Sequence, residues 1–402
     1  MADLQVKIAT SLKAVPAEAW DACANPTGPP PANNGAMQSG EHRIADDSFN
    51  PFVAHAFLSA LEDSGCVSSR TGWGPAHVLV EDGERLVAAA PCYIKTHSLG
   101  EYVFDHGWAD AYERAGGRYY PKLQVSVPFT PVTGPRLLVA QGESGGRAKA
   151  ALVSGLRALR VQTEASSIHL TFLPEEDGAA LARQGFLARS GQQFHWFNEG
   201  YGSFEDFLGA LASRKRKAIK RERRDALADG IAIEWLTGRD ITDAHWDAFF
   251  AFYMDTGSRK WGRPYLNRAF FSIVAERMAD RILLVTAKRA GRTIAGAINF
   301  IGDAALYGRN WGCIEDHTFL HFELCYYQAI DFAIERGLSR VEAGAQGEHK
   351  LARGYRPVTT WSAHDLADPA LKRAVAAYVE HERDYIAAAN EELESVTPFR
   401  RG

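Results

Sequence analysis

Residues 308–327, GRNWGCIEDHTFLHFELCYY, crowd an arginine, a tryptophan, two histidines and two glutamates between a strand-like and a helix-like run. His321 and Glu323 open an otherwise apolar helical pattern, where an imidazole and a carboxylate are suited to taking up a proton. Each also has a plain structural use: a glutamate in a first helical turn is favoured by the helix dipole, and a histidine can simply pack there. His317 and His321 are spaced i,i+4, but no third ligand or HExxH pattern completes a metal site. Upstream, the alternation in ALYGRNWG predicts a strand with Tyr307, Arg309 and Trp311 on one face. An arginine between aromatics suits a carboxylate or a phosphate, or it can snorkel to the surface. Downstream, Lys350, Arg353 and Arg356 follow the last predicted short strand and could hold a phosphate or an oxyanion.

Two other segments concentrate polar chemistry. EYVFDHGWADAYERAGGRYYPK, residues 101–122, mixes aromatics with both charges and reads as a recognition loop for a polar ligand. Its candidate contacts are Asp105, His106, Trp108, Tyr119 and Tyr120. SRKRKAIKRERR, residues 213–224, places eight Lys/Arg in twelve positions of a chain with formal charge −4. It predicts a helix with Ser213 as its N-cap and Gly230 as its stop, and a thin apolar stripe of Ala218, Ile219, Ala226 and Leu227. Arg214, Lys217, Lys220, Arg221 and Arg224 fall on the wider exposed arc. Such a run is either a solvated face or a landing site for phosphates, whose binding would weaken steeply with salt. GESGG, residues 142–146, matches the nucleophile-elbow pattern around Ser144, but no His-Gly-Gly run supplies an oxyanion hole.

With 402 residues, 46% of them apolar, the chain can bury a large core, and two domains are expected. A sequence pI near 6.4 excludes a general nucleic-acid coat. Cys23, Cys66, Cys92, Cys313 and Cys325 form no CxxC pair, so they read as reduced core residues of a cytoplasmic protein. The first twenty residues lack the apolar run of a signal peptide, and no stretch of about eighteen apolar residues exists to span a membrane. Residues 25–48 read as a surface insertion rich in Pro, Gly and Asn. Asn50-Pro51 predicts the start of a helix that Gly65 ends. Residues 368–395 predict a long C-terminal helix with Leu371, Val375, Tyr378, Tyr385, Ile386, Ala389 and Leu393 on one side. That helix either straps two domains or supports a homodimer.

The chain also echoes itself. HVLVEDGERLVAAAPCYI at 77–94 is matched by LLVTAKRAGRTIAGAINFI at 283–301. IHLTFLPEEDGAALARQGF at 168–186 is matched by VEAGAQGEHKLARGY at 341–355. Two echoes in the same order predict an internal duplication: a first domain over 1–200, a second over 201–366, and a helix and tail over 367–402.

On the segments NPFVAHAFLSALEDSG, GEYVFDHGWADAYERAGGRYYPKLQVSVPFTPVTGPRLL, SRKRKAIKRERR, HFELCYYQAIDFAIERG and GAQGEHKLARGYRP, the chain resembles the tandem-GNAT acyltransferases. More closely, it resembles the peptidoglycan biosynthesis/recognition proteins related to Fem-type aminoacyltransferases. The resemblance runs from about residue 50 to 385. It implies an α/β (α+β) fold of two tandem GNAT-like domains, with mixed, largely antiparallel twisted sheets flanked by helices. It also implies transfer of an acyl group from acyl-CoA or aminoacyl-tRNA, as co-substrate and not as a resident cofactor, to a small-molecule or peptide amine. His321 and Glu323 then become candidates for base and amine-orienting group, with Lys350 beside them. Arg214, Lys217, Arg221, Arg224, Arg309 and Arg353 become donor or phosphate contacts; Asp105, His106, Trp108, Tyr119, Tyr120 and Trp311 become acceptor contacts. The Fem-type Phe-Lys pair is replaced here by Leu351-Ala352-Arg353-Gly354-Tyr355, so Lys350 or Arg353 would supply that cation. The alternative expectation is a non-catalytic protein of the same fold that binds a peptidoglycan precursor or a nucleic acid.

Overall fold

A computed structural model describes residues 4–26, 49–142, 145–260, 264–344 and 347–400. Most of the 25–48 insertion, Ser144 of the GESGG stretch and Gln346 lie outside the described residues. The first half supplies β1 (Leu4–Ala9), β2 (Trp73–Pro75), β3 (His77–Asp82), β4 (Arg85–Ala90), β5 (Cys92–Lys95), β6 (Lys122–Val125), β7 (Leu138–Val139), β8 (Ser167–Leu173) and β9 (Leu187–Phe197). The second supplies β10 (Ala232–Thr237), β11 (Ile282–Arg289), β12 (Arg292–Ile301), β13 (Ala305–Cys313), β14 (Arg340–Glu342) and β15 (Arg356–Leu366). One sheet runs β1-β3-β4-β7; an eleven-stranded sheet runs β10-β11-β12-β13-β14-β9-β15-β8-β6-β5-β2.

The two echoed hairpins share one register. In the β3–β4 hairpin Asp82 closes on Arg85, Glu81 faces Leu86, and Val80 faces Ala88 with Val87 bulged. In the β11–β12 hairpin Arg289 closes on Arg292, Lys288 faces Thr293, and Ala287 faces Ala295 with Ile294 bulged. An identical turn length and bulge position in both hairpins implies the same local twist. The second echo ends alike: Gly185 (φ +89°) and Gly354 (φ +86°) take a left-handed conformation that spares glycine the Cβ penalty. Each then delivers a buried aromatic, Phe186 or Tyr355, to a core.

The two halves are not separate in space. β15, from the second half, lies between β8 and β9 of the first, while β9 pairs with β14 of the second. The sequence-based boundary at residue 200 is therefore crossed by two exchanged strands. A shared core seals the junction. The helix His55–Asp63 packs on the helix Arg268–Met278, Phe57 meets Phe270 edge-on at 5.7 Å, and Phe52 meets Phe300 at 5.1 Å.

Local starts differ from the sequence reading. Asn50 does not cap a helix; its Oδ1 accepts from Phe52 N at 3.0 Å in a turn, and the helix begins at His55 after Ala54. The basic helix runs Ser213–Ala226 with Ala212 at its cap, and Gly230 (φ +72°) ends a separate short turn.

The C-terminal helix, Pro369–Ser395, straps the exchange. It packs on both β9 and β15, capped by the Asp368 carboxylate, which accepts from Leu371 N at 2.7 Å. Its buried face is Leu371, Val375 and Val379, whereas Tyr378 and Tyr385 face solvent, contrary to the sequence-based stripe. Arg189 of β9 forks onto Glu382 (2.6 and 2.8 Å) and stacks on Trp108 at 4.9 Å. Arg189→Ala removes this clamp and leaves Glu382 half-buried without its partner. A stability loss of about 2–4 kcal/mol is expected, read by denaturant unfolding, with faster proteolysis within 369–395.

Candidate active site

β13 and β14 run parallel but pair only over Ala305–Tyr307 and Arg340–Glu342. Beyond Tyr307 β13 stays bonded to β12 and parts from β14. The wedge becomes a cleft of about 780 Å³, lined by Gly308 to Trp311, Ala297 to Asn299, Tyr253, Thr256, His321, Cys325, Tyr326 and Ala343. A second cavity of about 620 Å³, walled by aromatics of both halves, adjoins it; Ile298, Arg309 and Asn310 line both.

A bulge re-aims the side chains here. Ile298 faces Asn310 and Asn299 faces Gly308, so Arg309 is the extra residue in β13. Strict alternation is thereby broken. Tyr307 packs into the inter-half core beside Phe52, and the Arg309 guanidinium lies over those same two rings, at 4.7 Å from Phe52 and 5.6 Å from Tyr307. Trp311 turns instead toward His321, at 5.1 Å, so the expected common face of Tyr307, Arg309 and Trp311 does not exist. Arg309 Nη1 donates to Gly308 O (2.8 Å), while Nε and Nη2 are buried without a hydrogen-bond partner among the described residues. Burial lowers the Arg309 pKa to about 10, so it remains cationic at neutral pH.

The helix after β13 opens with Leu320–Phe322, widens into a π turn over Glu323–Tyr327, and continues as Gln328–Glu335. This inserted turn sends neighbouring residues to opposite sides. His321, Cys325 and Tyr326 line the cleft, and Tyr326 Oη bonds His349 Nε2 at 2.8 Å. Lys350 is buried just behind the wall, donating to Gly344 O at 3.0 Å. Burial brings its pKa down to about 8.

Glu323 points the other way. It is fully buried, accepts from Arg223 Nη2 (2.9 Å) and Gln328 Nε2 (2.7 Å), and lies against the basic helix. Arg223 also bridges Asp331 (2.7 Å) and covers the Phe204 ring at 4.3 Å. Burial raises the Glu323 carboxyl above its ordinary value, with Arg223 opposing. Arg353 is likewise committed: it donates to His349 O and Glu222 (2.7 and 2.9 Å) and lies 3.4 Å over Phe322. Tyr327 Oη donates to the same Glu222.

With Ile219, Glu222, Arg223 and Ala226 turned inward, Arg214, Lys217, Arg221 and Arg224 form an exposed stripe at i, i+3, i+7 and i+10. Arg224 pairs with neighbouring Asp225. None of the four lines either cavity. The stripe lies on the side of the helix opposite Ile219, Glu222, Arg223 and Ala226, away from Leu320–Glu335.

The first-half segment is a packed plug, not an open loop. His106–Arg114 is helical. Asp105 is buried and accepts from Lys122 (2.6 Å) and Tyr119 (2.7 Å), and Tyr120 Oη meets Ser98 at 2.8 Å. Burial works to raise the Asp105 carboxyl, but Lys122 and His169 outweigh it and hold it well below the usual carboxylate range. Trp108 is buried against the strap; His106 is exposed and stacked on Phe104. Deeper in the plug, His169 and His364 share a 2.7 Å Nδ1···Nδ1 contact, both driven toward the neutral form mainly by burial. Sequence reasoning missed Asn299, Asn310, Thr256 and Tyr253 as cleft residues. Only Asn310, beside Arg309, carried a local signal.

A parallel strand pair in each half, β6–β8 and β13–β14, with the halves joined edge to edge through β9 and β14, makes two tandem GNAT-like domains. The chain belongs to the FemAB-like family, described as peptidoglycan biosynthesis/recognition, whose model matches residues 11–401. The crystal structure of FemX is similar at 12% identity and TM-score 0.51, covering 80% of this chain and 94% of that one. L-PGS from Bacillus licheniformis is similar at 10% identity and TM-score 0.50, covering 84% and 98%. A tandem GNAT protein from the clavulanic acid biosynthesis pathway is similar at 13% identity and TM-score 0.44, covering 91% and 99%. No curated protein sequence matches the chain. Among the described residues no helix is long and apolar enough to cross a membrane.

Proposed function

We propose that the cleft between β13 and β14 moves an acyl or aminoacyl group from a phosphate-bearing carrier to an amine. The observation that carries this reading is the parting of the two parallel strands beside His321. The edge of β13 released from β14 offers backbone groups to an extended donor and to the oxyanion of a tetrahedral intermediate. His321, on the cleft wall, takes the proton as the amine nitrogen bonds to the acyl carbon. The carbon–oxygen or carbon–sulfur bond to the carrier then breaks, and the proton passes to that leaving group. Lys350, buried behind Gly344, adds positive potential to the wall. Glu323, held by Arg223 and Gln328, supports the helix and lines neither described cavity.

The exposed stripe favours aminoacyl-tRNA over acyl-CoA. A long polyanion can rest on Arg214, Lys217, Arg221 and Arg224 while its end reaches round the helix, whereas a short carrier seated in the cleft touches none of them. Purified protein given aminoacyl-tRNA or acyl-CoA with a panel of amines should turn over one donor class; turnover with neither overturns the proposal. The triple reversal Arg214→Glu, Lys217→Glu, Arg221→Glu should weaken tRNA binding at least about tenfold and flatten its log–log salt slope by about 3. Filter binding across a salt series reads both, and thermal stability should hold because these side chains touch no core.

A further inference from the structure

The cavity beside the cleft has a chemistry of its own. Its wall carries Phe57, Phe129, Phe270 and Phe300, drawn from both halves, together with the polar groups of Tyr102, Thr130 and Asn310. At its neck, open to both spaces, stands Arg309. The two guanidinium atoms left without a partner, Nε and Nη2, form the side-on edge that grips a carboxylate through two parallel hydrogen bonds. Glu342, whose charge Arg309 feels, accepts from Arg340 through Oε1 at 3.1 Å, and its Oε2 is buried without a hydrogen-bond partner among the described residues. A buried donor pair with no acceptor is costly unless a ligand supplies one.

We propose that this chamber and the Arg309 fork together hold the acceptor, an α-amino acid with an aromatic or large aliphatic side chain. The side chain fills the chamber, the carboxylate takes the fork, and the amine lies in the cleft toward His321. A phosphate would suit the fork but leave the four phenylalanine rings unused, so a carboxylate joined to an apolar group is the better match. The fate of the amine rests on the transfer reading; the binding site does not.

The test is calorimetric titration of the full chain with L-phenylalanine, phenethylamine, 3-phenylpropionate and glycine. Phenylalanine should bind at least about tenfold more tightly than phenethylamine, which lacks the carboxylate, and than glycine, which lacks the ring. Phenylpropionate should retain much of the affinity. Arg309→Gln should erase the preference for phenylalanine over phenethylamine; the ligand series stands by itself if that variant misfolds. Equal binding of phenylalanine and phenethylamine, or no binding of phenylalanine at about 10 mM, overturns the assignment. Turnover of amines lacking a carboxylate, unaffected by Arg309→Gln, would sink this site and leave the transfer reading intact. The expected binding series without turnover on any donor would do the reverse.

Discussion

Arg223→Met is expected to destabilise the protein by about 3–5 kcal/mol, while Glu323→Gln costs little or nothing. The asymmetry follows from burial. Glu323 is fully buried and relies on Arg223, with Gln328, to offset its lost hydration. Removing the cation strands a charge in the interior; removing the charge leaves an amide that Gln328 and Arg223 can still meet. Combining the two substitutions should recover most of the loss, because the stranded group is then absent. The pH dependence has a definite sign. A carboxyl whose folded pKa is raised binds its proton more tightly folded than unfolded. Its ionisation therefore costs stability as pH climbs above its unfolded value of about 4.3 through the raised folded value. Arg223→Met should steepen that decline, since Arg223 opposes the shift. Urea unfolding from pH 4 to 8 measures it; equal losses for the two single variants would contradict the assignment.

His321→Ala is expected to lower kcat about 100-fold with KM for the donor nearly unchanged, the usual yield of one positioned proton acceptor. His321 lines the cleft and packs on Trp311 and Tyr326 at 5.1 and 5.5 Å, so a loss of packing must be separated from a loss of chemistry. His321→Gln keeps most of the volume and should lose the same activity at unchanged thermal stability. If His321→Gln is nearly as active as the parent, the proton acceptor is another group.

The repeated hairpin and the Gly-aromatic turn could be read from the sequence because each is local: turn residues, alternation and a left-handed glycine sit within a few positions. The exchange of β9 and β15 left no such trace, since an edge pairing between residues far apart is chosen by tertiary packing. The same limit governs the site. His321 and Trp311 reach the cleft from elements whose periodicity was legible. Glu323 does not, because the π turn rotates the helix away from the 3.6-residue rule. The bulge at Arg309 breaks strand alternation in the same manner, separating Trp311 from Tyr307. In the basic run the helix and its exposed arc were foreseeable; that Arg223 alone turns inward to a buried acid was not, because its partner lies 100 residues away. Asp105, Tyr119 and Trp108 show the opposite failure, polar and aromatic residues that suggest a ligand but are consumed by one another.

The exchanged strands also bear on synthesis. A nascent chain emerging from the ribosome completes β8 long before β15, its neighbour from residues 356–366, has been made. Until then the N-terminal half carries an unzipped sheet edge that open water and stray strands compete to occupy. Cooperative closure must wait until β15 has been made, so the two halves mature together rather than one at a time.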